Sequence, residues 1–279
     1  MMMMIAAVKS ATPTLTDVIP SQGGAGVTAM TSLGDDVFVA RWDSKQVEVY
    51  DATTLTLQRR LTVSGLGKYL SGLAACPNNN CLYASDNGQG RIHRVQLSGR
   101  KSVKKWNVNI EPACLSVNNE DNLIVADLEN KLHEYTTYGS LVREICLQAG
   151  VTRPSHAIQL STGDYVVSQC TSPGVVSVVG VDGYVVRSCE PSQASDVGPM
   201  NNPSSLAVTK NDNILVADEW NNRILSIDSS LGSVQELGLL VDGGIQQPLG
   251  LCLDESRGRL YVGEYEGEHR VLVFDDIHL

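Results

Sequence analysis

Ile214-Leu215-Val216-Ala217-Asp218 is a short run of strand-favouring residues that ends on a carboxylate. The pattern occurs five more times. The other copies are Val37-Phe38-Val39-Ala40-Arg41, Leu82-Tyr83-Ala84-Ser85-Asp86, Leu123-Ile124-Val125-Ala126-Asp127, Tyr165-Val166-Val167-Ser168-Gln169 and Leu260-Tyr261-Val262-Gly263-Glu264. Each ends on a polar anchor, and successive anchors lie 41 to 49 residues apart. A period of that length over β-rich segments is the signature of a propeller, with one four-stranded sheet per repeat.

The rest of each repeat fits around its anchor. An inner strand precedes it, often opened by proline, as in Pro112-Ala113-Cys114-Leu115, Pro154-Ser155-His156-Ala157-Ile158, Pro203-Ser204-Ser205-Leu206 and Pro248-Leu249-Gly250-Leu251. Proline suits a strand start, where no ladder donor is lost. Turn residues such as Asn211-Asp212-Asn213 lead into the anchor strand. A polar loop and a third strand follow, as in Arg223-Ile224-Leu225-Ser226-Ile227. Most repeats add a fourth, as in Ser140-Leu141-Val142-Arg143-Glu144-Ile145. The last repeat runs out after its third strand, near Asp275. Thr14-Leu15-Thr16-Asp17-Val18-Ile19 can supply the missing fourth strand and cover the open edge. The expectation is therefore an all-β, six-bladed β-propeller, closed by an N-terminal strand in the last blade, as a single domain over residues 1–279. An open sandwich gives six matching anchors no reason to recur.

Composition agrees with a folded chain and narrows its chemistry. The 279 residues are 42% hydrophobic, enough for a large core. No apolar run reaches the roughly 18 residues of a spanning helix, so no membrane association is expected. With 21 Lys and Arg against 31 Asp and Glu the net charge is −10, which disfavours a general nucleic-acid binder. Cys76, Cys81, Cys114, Cys146, Cys170, Cys189 and Cys252 show no paired zinc-type spacing. Cys76 and Cys81 can meet across a hairpin, but free thiols are the expected state. The apolar start lacks the features of a signal peptide. There is no Asn-x-Ser/Thr acceptor, and a cytoplasmic location is expected.

Residues 203–224 carry a resemblance. Pro203-Ser204-Ser205-Leu206-Ala207-Val208, then Val216-Ala217-Asp218, then Asn221-Asn222-Arg223-Ile224, closely resembles the NHL repeat. Asp86 with Gly90-Arg91-Ile92, Asp127 with Asn130-Lys131-Leu132, and Glu264 with His269-Arg270-Val271 are partial copies, while Arg41 and Gln169 depart from the acidic anchor. The resemblance implies a six-bladed propeller similar to the one that ends the tripartite-motif NHL proteins. The RING, B-box and coiled-coil segments of those proteins have no counterpart here, so ligase activity is not assigned.

The candidate sites divide by position in the repeat. The anchors Asp86, Asp127, Asp218 and Glu264 are expected to accept backbone hydrogen bonds within their own loops, since a catalytic site would need one blade to differ. The inner-strand tops that line the tunnel include Ser71, Gly72, Ala113, Ser155, His156, Ser204, Ser205, Leu249 and Gly250. Six-bladed hydrolases place calcium or zinc ligands there. One histidine and several hydroxyls are a poor donor set for either ion, so no metal, cofactor or enzymatic activity is expected. The loops after the anchors carry Trp42, Trp220 and Tyr265, with Arg41, Glu219, Asn221, Glu266 and His269 nearby, and of these Arg41, Trp42, Trp220, Asn221, Tyr265 and His269 are the candidates for binding a protein or peptide. The same rings can instead simply cover the blade ends. The loop from Cys189 to Pro203, with Ser192, Gln193, Ser195, Asp196 and Met200, can fold over the tunnel or be a tolerated insertion. Arg91, Arg94, Arg100, Lys101, Lys104 and Lys105 form a run without acids, expected on the edge of the second blade. Some NHL propellers bind RNA through a basic loop face, which makes single-stranded RNA the alternative ligand. A metal-dependent hydrolase or lyase is the third reading. As an isolated domain the chain is expected to be a monomer.

Overall fold

A computed structural model of the protein describes residues 13–21, 23–99, 102–148, 150–192 and 195–277. Six four-stranded antiparallel sheets form a ring around a central tunnel. Five follow chain order from inner to outer strand and span residues 27–62, 70–107, 112–146, 154–189 and 203–236. The sixth blade contains Pro248–Asp254, Arg259–Glu264 and Val271–Asp275, and Thr14–Ile19 is its outer strand. That strand pairs through Leu15↔Phe274, Val18↔Leu272 and Ile19↔Val271.

Burial explains the sequence pattern of each strand. Leu123–Asp127 and Ile214–Asp218 are buried at every residue, because neighbouring blades cover both faces of the sheet. A strand covered on both sides reads as a continuous apolar run, without alternation. The outer strand Leu57–Thr62 has one wet face and exposes Gln58, Arg60 and Thr62. Apolar clusters fill the spaces between blades. Val166, Val176 and Val178 of blade 4 meet Leu206, Val216 and Leu225 of blade 5. Ile19, Tyr261 and Val273 of blade 6 meet Val27, Val37 and Val39 of blade 1 and seal the ring. Polar contacts reinforce this seam: Arg259 Nη1 donates to Ala52 O at 2.6 Å, and Arg257 reaches Gly34 O and Asp35.

The six anchors sit buried at the ends of the second strands. In four blades the side chain accepts the backbone N–H of the segment that leads into the inner strand. These bonds are Gly67 to Asp86, Thr152 to Gln169, Asn201 to Asp218 and Gln246 to Glu264, at 2.6 to 3.1 Å. Asp127 instead accepts Glu129 N and Lys131 N from its own loop, as expected from sequence. Burial raises its carboxyl, but the bonds from His133, Lys131 and Glu129 outweigh that and hold it below its usual range. Blade 1 inverts the polarity: Arg41 Nη1 donates to Ala25 O at 3.1 Å and to His269 O at 2.8 Å. A partner on or just before the third strand completes most anchors: Glu48 for Arg41, His133 for Asp127, Ser177 for Gln169, Arg223 for Asp218 and Arg270 for Glu264.

Two outcomes test this frame. Burying Ile19 and half-burying Val18 and Leu15 is worth about 4 kcal/mol. Deleting residues 1–20 should therefore lower the thermal midpoint by roughly 10 °C, and an unchanged melt would contradict the closure. Arg223→Ala strands Asp218, which is fully buried, and should cost about 3–5 kcal/mol in urea unfolding. Lys131→Ala removes a solvent-screened pair with Glu144 and should leave the urea midpoint nearly unchanged.

Candidate functional site

Every inner strand has a register shift just after its first residue. The residues at the shifts are Thr28, Ser71, Ala113, Ser155, Leu249 and, in blade 5, the pair Ser204-Ser205. A β-bulge frees its extra residue from the ladder and re-aims the side chain. All of these bulge residues line one cavity of about 440 Å³ in the tunnel mouth. Their hydroxyls are partly committed to joining blades: Ser71 Oγ donates to Pro112 O at 2.7 Å. Much of the remaining wall is apolar, with Met30, Leu70, Leu73 and Leu251.

The rim is set by the position that follows each anchor. Trp42 N donates to Gly26 O, Asn87 N to Tyr69 O, and Tyr265 N to Gln247 O, at 2.9 to 3.0 Å. The same repeating bond therefore fixes the backbone of each rim residue. Trp42, Tyr69 and Tyr265 gather at the cavity mouth. The Trp42 ring lies 5.1 Å from Tyr69, tilted by 59°, and 6.1 Å from Tyr265, edge-on at 87°. Glycines make room for two of these rings. A Cβ on Gly26 would stand 2.2 Å from Tyr265 O and 2.8 Å from its ring, and one on Gly88 would stand 2.6 Å from the Tyr69 ring.

Two titratable groups line the cavity walls in contrasting states. His156 is buried in the inner strand of blade 4. Its Nδ1 accepts Leu206 N at 3.0 Å, so the proton on Nε2 faces Leu115 O at 3.3 Å. Burial lowers its pKa to about 4. The ring is a neutral staple across three blades, not a free base. Glu219 follows the blade 5 anchor and is 8% exposed. Asn202 Nδ2 donates to its carboxyl at 2.8 Å. Burial nonetheless pushes its pKa up to about 7, against the bonds from Asn202 and Trp220. Among the described residues, no three His, Cys, Asp or Glu side chains converge in a way that could hold a metal ion.

The structure separates the residues selected from sequence. Trp42 and Tyr265 meet at the mouth, joined by Tyr69, which sequence reasoning passed over. Its only signal was its place just before an inner strand. Trp220 is 56% exposed but stands outside the cavity lining, whereas its neighbour Glu219 lies in it. Arg41 is turned inward to Glu48, Ala25 and His269, which corrects its reading as a loop-face contact. Asn221 binds Pro199 O and Asp218, and the His269 ring binds Tyr265 O, so both brace their own loops. The described residues of the loop after Cys189 do not line the cavity: Arg223 reaches Val197 O and Pro199 O and pins that part beside blade 5. Gln193 in that loop lies outside the described residues. The basic run occupies the third and outer strands of blade 2, apart from Arg100 and Lys101, which lie outside the described residues. There Arg94 and Lys104 both approach the Tyr138 ring, at 5.7 and 5.4 Å. The seven cysteines are free, with Cys76 and Cys81 paired across the expected hairpin. No helix among the described residues is long and apolar enough to cross a membrane.

Comparison with known proteins gives the fold context. No curated protein sequence shows significant similarity to the chain. Among solved structures, a streptogramin B lyase superposes with a TM-score of 0.68 at 10% identity, covering 93% of this chain and 96% of that one. The virginiamycin B lyase of Staphylococcus aureus gives 0.67 at 9%, covering 94% and 99%. A chain of hydrazine synthase from Kuenenia stuttgartiensis gives 0.67 at 13%, covering 92% and 98%. At these identities the likeness is one of fold alone. Residues 200–225 match the family model of the NHL repeat, over the segment that holds the Asp218 anchor and its Arg223 partner. The chain is a six-bladed β-propeller that carries an NHL repeat in its fifth blade.

Proposed function

We propose that the chain is a non-enzymatic interaction module that takes a protein or peptide on its loop face. The observation that carries this reading is the cluster of Trp42, Tyr69 and Tyr265 over an open, largely apolar cavity. Aromatic residues beside a pocket are the usual anchors of an interface, because they bury much area at little cost in side-chain entropy. Their backbone is already fixed by the repeat, so little ordering remains to be done on binding. Free cysteines throughout suit a reducing, cytoplasmic setting.

A second reading, an enzyme of the lyase or hydrolase type, draws on Glu219. A carboxyl held near neutrality in a cavity can move a proton. It has no reactive partner in the cavity wall, where His156 is committed on both ring nitrogens. The RNA reading has less support, since Arg94 and Lys104 are engaged with Tyr138 on a blade edge and do not line the cavity.

Selection of a displayed peptide library on the immobilised chain tests the leading reading. Recovered peptides should bind Trp42→Ala and Tyr69→Ala about 2 kcal/mol more weakly, roughly 30-fold in Kd, with unchanged circular dichroism. Trp220→Ala should cost less. Replacing Lys104 and Lys105 with Gln should change affinity by less than about twofold, because edge charges affect encounter more than residence. A steep loss in the lysine variant with silent rim variants would favour nucleic acid. Turnover of a lactone or ester that disappears in Glu219→Gln would favour the enzyme.

A further inference from the structure

The cavity mouth has a composition more particular than an apolar anchor site requires. Trp42 and its two tyrosine neighbours are mutually inclined, at 59° and 87°, so they stand as separate walls. One carboxyl, Glu219, lines the same cavity, and among the described residues no lysine or arginine does. Lys68, next to Tyr69 in the chain, is paired with Asp43 at 3.2 Å. The chain as a whole carries a net charge of −10, which favours the approach of cations.

We propose that this cavity receives an N-methylated lysine side chain of the partner peptide, with Trp42, Tyr69 and Tyr265 around the ammonium group and Glu219 as its counter-ion. This inference rests on the loop-face reading above. Ring faces attract a cation through their quadrupole, and aromatic cages are the usual receptors for alkylated ammonium groups. The methyl groups need no hydrogen-bond acceptor and suit the apolar lining of Met30, Leu70 and Leu251. A peptide suits the site better than a free small cation, because the exposed Trp42 and Tyr69 extend the contact surface beyond the cavity.

The pairing has a pH signature. The titratable groups that face Glu219 are Tyr265 and Cys170, both raised by burial above their usual values, so both stay neutral at pH 8. Arg153 acts on Cys170, and Asp218 beside Glu219 is paired with Arg223. His156, at about 4, is neutral above pH 6. A trimethylammonium group does not titrate. Of these groups, only Glu219, at about 7, changes charge between pH 6 and 8. Its ionised fraction rises from about a tenth to about nine-tenths, and affinity for a cation should rise about ninefold with it.

The test is calorimetric titration of the whole chain with a blocked Gly-trimethyllysine-Gly peptide. Its comparators are the neutral isostere with carbon in place of the ammonium nitrogen, and free tetramethylammonium. The expected result is saturable binding of the trimethyllysine peptide, about tenfold or more tighter than the isostere. That affinity should rise about ninefold from pH 6 to 8 in the native chain and stay flat in Glu219→Gln, which can keep the Asn202 contact. Trp42→Ala should abolish binding. Equal affinity for the isostere would overturn the cation and leave the loop-face reading standing. Absence of saturable binding would overturn the inference, while the peptide selection decides the wider reading independently. Tetramethylammonium binding as tightly as the peptide would overturn the peptide source. A pH slope that survives Glu219→Gln would overturn its role as counter-ion.

Discussion

In four blades a buried side chain at the end of the second strand fixes where the polypeptide enters the inner strand of the same blade. There the anchor reaches back to the backbone just ahead of that inner strand and satisfies a peptide group that the sheet ladder leaves unpaired, while Asp127 binds its own loop instead. The requirement is a matched hydrogen bond, not a particular charge. Asp218 meets it as an acceptor braced by Arg223, Gln169 as a neutral amide braced by Ser177, and Arg41 as a donor braced by Glu48. When the anchor changes sign, both its backbone target and its third-strand partner change with it. Buried polar groups are tolerated on those terms, because an unmatched one would cost most of what its blade gains from packing.

The rim depends on these anchors. After the anchors of blades 1, 2, 4 and 6 the next residue has little freedom of its own, since the N–H of Trp42, Asn87, Cys170 or Tyr265 is bound to backbone ahead of the inner strand, and in blade 5 Trp220 N makes the bond. Trp42, Asn87, Glu219 and Tyr265 each follow an anchor and line the cavity with different side chains. Function can therefore vary at these positions while the frame beneath them stays constant.

The sequence made the ring legible because its physics repeats. Six apolar runs closed by polar residues at a steady interval admit few other folds, and even Arg41 and Gln169 kept the pattern of the strand before them. The site was less legible because it is assembled by ring closure. Tyr69, Trp42 and Tyr265 come from three blades, and the first and sixth become neighbours only when the ring closes. The bulges that aim Ser71 and Ser155 into the tunnel follow from strand register, which a run of residue types does not specify. Position near a loop also misled where exposure mattered: Arg41 ends its strand buried, and Glu219, named only as a charge beside the loop face, lines the cavity while the more conspicuous Trp220 does not. The two titratable groups of the cavity act on stability with opposite sign. His156 contributes above its unfolded value of 6.5, and the contribution is lost as pH falls toward 4. Glu219 contributes below its unfolded value of 4.5, and the contribution is lost as pH rises through 7. Over that range each offsets part of the other.

The strand that closes the ring also determines how the fold attaches to anything joined to it. Thr14 pairs directly with Asp275, so the two ends of the propeller lie side by side, at the roughly 5 Å spacing of an antiparallel pair. Polypeptide arriving at Thr14 and leaving after Asp275 does so from one point on the rim of blade 6. A host protein could accommodate the whole ring as an insertion in a surface loop without spreading that loop apart. Tension applied through both ends would peel the seam rung by rung, beginning at Thr14, instead of shearing all its hydrogen bonds at once. The closure that resists heat by burying Ile19 is thus the first part of the ring to open under load.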